Sequence, residues 1–268
     1  MNKTENQPIG FFDSGLGGLS VVNEVKKLLP MESIEYFADN KNQPYGEKKH
    51  SQLNQYSFRI MDFLLKKKIK ACVIACNTAT AASLEILQKH FKIPIIGVIK
   101  PAVKDAISKT INKKIGIIAT EFTSKSKIYP MEIKKIDPKI SVFSNHCPEC
   151  VALVENGKNN SQEAEKIVQK YLFPFKKNRV DTLIIGCTHY AFLKNAIFKY
   201  MGDNFILIDP AKSTSQELRR VLFQKGILST SKKITENYYT SGDNEVVEKI
   251  AKIILKTDEF NIEKVKWE

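Results

Sequence analysis

The sequence predicts an α/β protein of two related domains, each with a mostly parallel sheet flanked by helices. Short apolar runs alternate with amphipathic stretches along the chain, a pattern typical of parallel-sheet proteins. The run from Ile9 to Ser14 recurs in form from Ile115 to Thr120. Each run is followed, at a similar distance along the chain, by a strand that ends in a cysteine, Cys76 or Cys187. Two pseudo-symmetric halves account for the pair of similar runs, the pair of strands that end in cysteines, and the order in which they occur.

In the first half, apolar periodicity separates strands from helices. Val21, Val22 and Val25 share one helical face, and Pro30 stops that helix. The predicted elements are a strand ending at Phe12, a helix from Leu19 to Leu29, a strand from Ile34 to Ala38, a helix from Ser51 to Leu65, a strand from Ala71 to Ala75, a helix from Ala79 to His90 and a strand from Ile95 to Val98.

The second half repeats the alternation of strands and helices. Its predicted strands run from Ile115 to Ile118, Ile140 to Phe143, Leu183 to Ile185 and Phe205 to Ile208. The tail from Asp243 has a helical face of Val247, Ile250, Ala251 and Ile254, and it has no predicted strand of its own. We therefore expect this tail to pack on the first half. The predicted domains are residues 1–100 completed by 211–268, and residues 101–210.

Composition favours a cytoplasmic protein without a membrane partner. The 268-residue chain is 43% apolar but has no uninterrupted apolar stretch of membrane-spanning length, and the segment from Met1 to Pro8 lacks a signal-peptide core. An odd number of cysteines, five, in such a chain favours free thiols over a disulfide framework.

The net charge of +13 raises the question of nucleic-acid binding. The lysines are scattered, however; the triple run from Lys66 to Lys68 stands alone, and no nucleic-acid motif is recognised. A solvated basic surface explains the charge, so no nucleic-acid partner is expected.

The two cysteines at strand ends are the strongest catalytic candidates. The carboxyl ends of parallel strands are where open α/β sheets bind ligands, so Cys76 and Cys187 are expected to face one another across a single cleft. Two acid/base groups on opposite sides suit a reaction that runs in both stereochemical directions. The glycine-rich stretch from Asp13 to Gly18, between a strand and a helix, predicts an anion site there.

The segment from His146 to Cys150 has metal-ligand spacing at Cys147 and Cys150. A closed zinc site needs four ligands and the chain has no second Cys-x-x-Cys, so no metal is expected. Pro148 fits the first position of a helix that Cys147 precedes.

Five short motifs, in order, together resemble those of the glutamate racemase family. They are Asp13-Ser14-Gly15, Pro44-Tyr45-Gly46, Cys76-Asn77-Thr78, Leu153-Val154-Glu155 and Gly186-Cys187-Thr188-His189. The resemblance implies cofactor-independent interconversion of L- and D-glutamate for peptidoglycan synthesis, in a cleft between two pseudo-symmetric domains. It is compatible with a homodimer.

The resemblance also implies roles for individual residues. Cys76 and Cys187 would exchange the Cα proton, Asp13 and His189 would relay protons or orient the thiols, and Glu155 would assist near the second thiol. The implied substrate-binding set is Asp13, Ser14, Pro44, Tyr45, Gly46, Cys76, Asn77, Thr78, Thr123, Cys187, Thr188 and His189. Asp39, Lys100 and Thr123 lie near family site segments, and Lys100 departs from the residue type that many members carry.

Other functions stay open from the sequence. One is a racemase of another acidic amino acid, such as aspartate; a related decarboxylase would lack one of the two cysteines. Another is a basic nucleic-acid or partner-binding protein on the same scaffold. A pyridoxal phosphate enzyme is not expected, because two thiols already provide for inversion.

Overall fold

A computed structural model of the protein describes residues 4–202, 204–243, 245, 247, 248, 251, 252 and 260–266. Its strands are β1 (Ile9–Asp13), β2 (Ile34–Ala38), β3 (Ala71–Ile74), β4 (Ile95–Gly97), β5 (Lys114–Ala119), β6 (Ser141–His146), β7 (Thr182–Gly186), β8 (Ile206–Ile208), β9 (Glu236–Thr240) and β10 (Glu263–Lys264). Its α-helices are α1 (Leu19–Leu28), α2 (His50–Lys66), α3 (Asn77–His90), α4 (Ile99–Lys109), α5 (Glu121–Lys125), α6 (Ile128–Ile136), α7 (Pro148–Glu155), α8 (Gln162–Lys177), α9 (Lys194–Met201) and α10 (Pro210–Gln224).

The chain divides into two compact units, each with its own sheet. Unit 1 comprises Met1–Val98 and Ala211–Glu268, and unit 2 comprises Ile99–Pro210. The strand order is β10-β9-β2-β1-β3-β4 in unit 1 and β6-β5-β7-β8 in unit 2. Every strand pair in the described residues is parallel. The predicted fold class, two parallel-sheet α/β domains flanked by helices, is confirmed.

The repeated sequence runs occupy equivalent places in the two sheets. β1 lies between β2 and β3, and β5 lies between β6 and β7. The strands that precede the two cysteines, β3 and β7, therefore each pair with the strand of the repeated run. The repeated runs thus form corresponding strands, β1 and β5, in two sheets that share one strand order: β2-β1-β3-β4 in unit 1 and β6-β5-β7-β8 in unit 2.

Apolar strands and the apolar faces of helices form the cores. β1 and β7 are buried along their whole length, as expected for central strands covered on both faces. Helix α1 buries the predicted face of Val21, Val22 and Val25. It ends one residue earlier than predicted, and Pro30 follows shortly after.

The C-terminal segment corrects one expectation. The tail from Asp243 was expected to contain no strand, yet it contributes β10, which pairs with β9, the strand just before the tail, and β9 in turn pairs with β2 of the first sheet. Of the predicted helical face, Ile250 and Ile254 lie outside the described residues, whereas Val247 and Ala251 are helical and buried. No helix in the described part of the chain is long and apolar enough to cross a membrane.

Candidate active site

In unit 1, the candidate cysteine is held at the start of a helix. Cys76 follows β3, caps the N-terminus of α3, and accepts a hydrogen bond from the Ala79 backbone N–H at 3.5 Å. Its Sγ lies 3.8 Å from the Ser14 hydroxyl, and both residues are buried. The positive end of the helix dipole favours negative charge on this sulfur. Asn77 and Thr78, the first two residues of α3, are buried beside it.

Asp13 ends β1, the strand beside β3. It is fully buried, and its Oδ2 accepts the Gly18 backbone N–H at 2.8 Å, which folds the glycine-rich stretch back onto the carboxylate. Gly18 must be glycine, because a Cβ there would lie 2.8 Å from the Cβ atoms of Asp13 and Ala75. The predicted anion-binding loop is thus closed on one side by a carboxylate.

Tyr45 is held by the buried carboxylate of Asp39, the residue that directly follows β2. Its hydroxyl donates to Asp39 Oδ2 at 2.6 Å, while the Ser241 hydroxyl donates to Asp39 Oδ1 at 2.6 Å. Burial, followed by the charge of Asp39, raises the pKa of Tyr45 well above its usual value, and the nearby Cys76 and Asp13 add to the shift. Tyr45 therefore stays a donor near neutral pH. Pro44 precedes it after a cis peptide bond, and Gly46 follows it in the same short 3-10 helix.

Tyr36 was not predicted as a site residue, yet it borders the same region. Its hydroxyl donates to the Gly15 carbonyl at 2.7 Å and so braces the glycine-rich loop. Burial, with Asp13 and Cys76 adding to it, raises the pKa of Tyr36 well above its usual value. Its position in a strand gives no local sequence signal for this contact.

In unit 2, the second cysteine is accompanied by an imidazole. Cys187 directly follows β7, and its Sγ lies 3.9 Å from His189 Nδ1. The other ring nitrogen, Nε2, lies 3.3 Å from Glu155 Oε1 at the C-terminal end of α7. The predicted His189 and Glu155 thus form a chain of contacts from solvent to the thiol, since Glu155 is 41% exposed and His189 is 10% exposed in their side chains.

Two buried tyrosines lie near Cys187. The Tyr190 hydroxyl lies 2.6 Å from the Cys147 carbonyl and 3.1 Å from the Ala119 carbonyl. Burial, with Cys187 nearby, raises the pKa of both Tyr129 and Tyr190 above the usual value. Neither tyrosine was predicted, because their roles depend on tertiary contacts.

The remaining predicted residues of unit 2 follow strands within a few residues along the chain. Thr123 is buried in α5, just after β5, and its hydroxyl accepts a hydrogen bond from Thr120 at 3.0 Å. Thr188 is half-buried directly after Cys187. Lys100 is exposed in the first turn of α4.

The cysteines outside these positions differ from expectation. Cys147 and Cys150 form a disulfide, so the prediction that all five thiols are free is wrong for this pair. Cys147 does precede a helix that starts with Pro148, as predicted. Cys72 is free and fully buried in β3, and burial raises the pKa of its thiol, which makes it a poor acid or base. Within the described residues, no three histidine, cysteine or acidic side chains are grouped so that they could hold a metal ion.

Comparison with known proteins points to one family. The model for the Asp/Glu/Hydantoin racemase family matches residues 18–218. Glutamate racemase from Listeria monocytogenes serotype 4a (strain HCC23) is 39% identical over 261 residues, which cover 97% of this chain and 98% of that protein. Among solved structures, glutamate racemase isoform RacE1 from Bacillus anthracis superposes with a TM-score of 0.94 at 37% identity, covering 98% of both chains. Glutamate racemase from Francisella tularensis, in complex with D-glutamate, superposes with a TM-score of 0.92 at 34% identity and the same coverage.

Proposed function

The chain belongs to the Asp/Glu/hydantoin racemase family, and from that premise we propose that it interconverts L- and D-glutamate through two cysteines without a cofactor. The observation that carries the proposal is the equivalent placement of Cys76 and Cys187. Cys187 directly follows the carboxyl end of β7, and Cys76 follows that of β3 after one residue, in two sheets with the same strand order. Such strand ends are where parallel sheets bind ligands.

The two thiols divide the proton transfer between them. One acts as thiolate and removes the proton from Cα, and the other, as thiol, returns a proton to the opposite face. The roles exchange in the reverse direction, so the enzyme must be able to start from either protonation state. A thiol suits both roles, because its ordinary pKa of about 8.5 leaves a useful thiolate fraction near neutral pH.

We assign the neighbouring residues to support of each thiol. Asp13 would orient or exchange protons on the Cys76 side, and His189 would do so for Cys187, the imidazole being 3.9 Å from that sulfur. Glu155 would act through His189, which it approaches at 3.3 Å. In this role Glu155 is a positioning residue.

Polar groups around the two thiols would hold the two carboxylates and the ammonium group of glutamate. Backbone N–H groups at the first turn of α3 are suited to a carboxylate, because the helix dipole adds to their hydrogen bonds. The Tyr45 hydroxyl is engaged by Asp39, so we expect this segment to bind substrate through backbone groups. The proposed binding residues are Asp13, Ser14, Pro44, Tyr45, Gly46, Cys76, Asn77, Thr78, Thr123, Cys187, Thr188 and His189.

Several wider features belong to the same proposal. The D-glutamate produced would supply peptidoglycan synthesis in the cytoplasm, and the enzyme would act as two domains, residues 1–100 with 211–268 and residues 101–210. A homodimer is compatible with this function. Glutamate is preferred to aspartate as the substrate because the similar proteins that extend over nearly the whole chain are named glutamate racemases.

Exchange in heavy water tests the proposal. Purified protein is incubated with L-glutamate or L-aspartate in deuterium oxide, without added pyridoxal phosphate or metal. We expect glutamate to lose its circular dichroism signal and to gain one deuterium at Cα by mass spectrometry, while aspartate is turned over far more slowly. Faster turnover of aspartate would show that aspartate, and not glutamate, is the substrate. Absence of Cα deuteration in both amino acids would refute the proposed reaction.

A further inference from the structure

Helix α7 carries a disulfide at one end and a residue of the proposed active site at the other. Cys147 caps its N-terminus and is bonded to Cys150 in the first turn, while Glu155 is its last residue. Both cysteines are almost fully buried, with 0% and 1% of the residue exposed. The proposed reaction uses neither sulfur.

Both ends of α7 contact the chain segment that contains Cys187. At the N-terminal end, the Tyr190 hydroxyl donates to the Cys147 carbonyl at 2.6 Å. At the C-terminal end, Glu155 Oε1 lies 3.3 Å from His189 Nε2. A change in how the first turn of α7 is held would therefore reach His189 and Tyr190, which are adjacent in sequence.

The buried pair adjoins two elements that favour local opening, an edge strand and a short helix. β6, the strand before Cys147, is at the edge of its sheet, and its side chains are exposed or half-buried. Helix α7 has only eight residues. Segments of this kind open at lower free energy than central strands, which gives a small reagent access to buried sulfurs.

We propose that Cys147 and Cys150 form a reversible dithiol–disulfide site that sets the position of Glu155 against His189 and thereby the reactivity of Cys187. The disulfide fixes the first turn of α7 and keeps Glu155 beside the imidazole. Reduction frees that turn, and the contact between Glu155 and His189 is occupied less of the time. This inference rests on the proposed function of Cys187 and His189.

The oxidant is a small-molecule disulfide. The thiolate of one cysteine attacks a sulfur of this molecule, forms a mixed disulfide and releases one thiol. The second cysteine then attacks the mixed disulfide, closes the Cys147–Cys150 bond and releases the second thiol. Two protons and two electrons pass from the protein to the small molecule, and reduction reverses each step.

The test is a titration in buffers of reduced and oxidised dithiothreitol. At each ratio, rapid alkylation followed by mass spectrometry gives the fraction of Cys147–Cys150 disulfide. The alkylation rate of Cys187 by iodoacetamide and the turnover of glutamate are measured on the same samples. We expect one midpoint for all three, with kcat and the Cys187 alkylation rate about two- to fivefold higher in the oxidised form and a KM that changes less. A pair that never changes state, or an alkylation rate that stays constant through the titration, would overturn the proposal.

Variants separate this route from general effects of oxidation. Cys150→Ala should behave as the reduced protein at every ratio, and Glu155→Gln should still form the disulfide but lose the response of Cys187. Cys72→Ala, which removes an unrelated buried thiol, should keep the response. A response that persists in Glu155→Gln would show that the route does not run through Glu155. If glutamate is not turned over at all, the alkylation response still decides the redox proposal, so the two failures are distinguishable.

Discussion

The contact between Glu155 and His189 leads to a quantitative prediction for the variant Glu155→Gln. Glutamine keeps the shape of the side chain and removes its charge. In the folded protein, Glu155 Oε1 lies 3.3 Å from His189 Nε2, and the Glu155 side chain is 41% exposed. The change therefore removes an electrostatic partner of the imidazole without opening a cavity.

Solvent exposure decides the size of the effect. Two unit charges separated by 3.3 Å would interact by about 5 kcal/mol at an effective dielectric constant near 20. Water around a side chain exposed to this extent screens the pair, and measured exposed pairs contribute about 0.2–1 kcal/mol. Since about 1.4 kcal/mol corresponds to a tenfold change in rate, we expect kcat to fall by no more than about fivefold. A direct general acid or base would contribute about a hundredfold or more.

Circular dichroism measures the initial rates in both directions from L- and D-glutamate. The matched control is Glu163→Gln, because Glu163 is also exposed and pairs with a lysine, Lys158, at 3.0 Å. The control should retain wild-type kcat. A loss of a hundredfold or more in Glu155→Gln would refute the supporting role and place Glu155 in contact with substrate. An equal loss in both variants would show that surface charge in general is responsible.

Three further predictions concern the thiols, a buried hydrogen bond and acid stability. Cys76→Ser and Cys187→Ser should each abolish racemisation while the far-ultraviolet spectrum is kept, because a hydroxyl is far less acidic than a thiol; near wild-type turnover in either would exclude the two-thiol mechanism. Tyr45→Phe removes a 2.6 Å bond to a buried carboxylate and should lower the free energy of unfolding by about 1.5–3 kcal/mol, as should Ser241→Ala, measured by urea denaturation; no change in either would contradict the assigned network. For Asp181, burial raises the pKa, but hydrogen bonds, led by that from the Asn112 N–H, outweigh burial and lower the pKa overall. The stabilisation by Asp181 is therefore present above the unfolded pKa of about 3.9 and is lost as pH falls through the folded pKa. Asp181→Asn should destabilise the protein at pH 7 and progressively less in acid, and a free-energy difference that is constant with pH would refute this.

Apolar periodicity was sufficient to predict the central strands of both sheets because those strands are buried on both faces. After Thr182, β7 continues as the apolar run from Leu183 to Ile185, and the strand is buried throughout. β9 begins with Glu236 and Asn237, both exposed, and only its last three residues are buried, so the polar start hides the strand. β10 has two residues, both charged, and is recognisable only by its pairing with β9.

Residues placed by the local chain could be predicted, whereas those placed by distant contacts could not. Cys76 and Cys187 lie within two residues of the ends of apolar strands, and strand ends are visible in sequence. Ser241, in contrast, reaches Asp39 from a position 202 residues away, and Tyr190 reaches Cys147 across 43 residues. Nothing in the local sequence distinguishes such residues from ordinary buried ones.

The Cys147–Cys150 bond was missed for a different reason. The expectation of free thiols came from the odd cysteine count and from the compartment, which describe the chain as a whole. A bond between residues three apart needs only a local geometry, and Cys147 at the cap of α7 with Cys150 in the first turn provides it. For closely spaced cysteines, the local element is therefore a better guide than the total number.

The two thiols occupy equivalent strand ends but have unlike partners, and this difference constrains the kinetics. Cys76 has a hydroxyl and a backbone N–H beside it, whereas Cys187 has an imidazole backed by a carboxylate. An imidazole can change its charge near neutral pH, which a hydroxyl and a backbone amide cannot. The free energies of the two enantiomers are equal, so their kcat/KM values must also be equal whatever the partners do. If the unlike surroundings favour one starting protonation state, kcat and KM must therefore differ between L- and D-glutamate by the same factor.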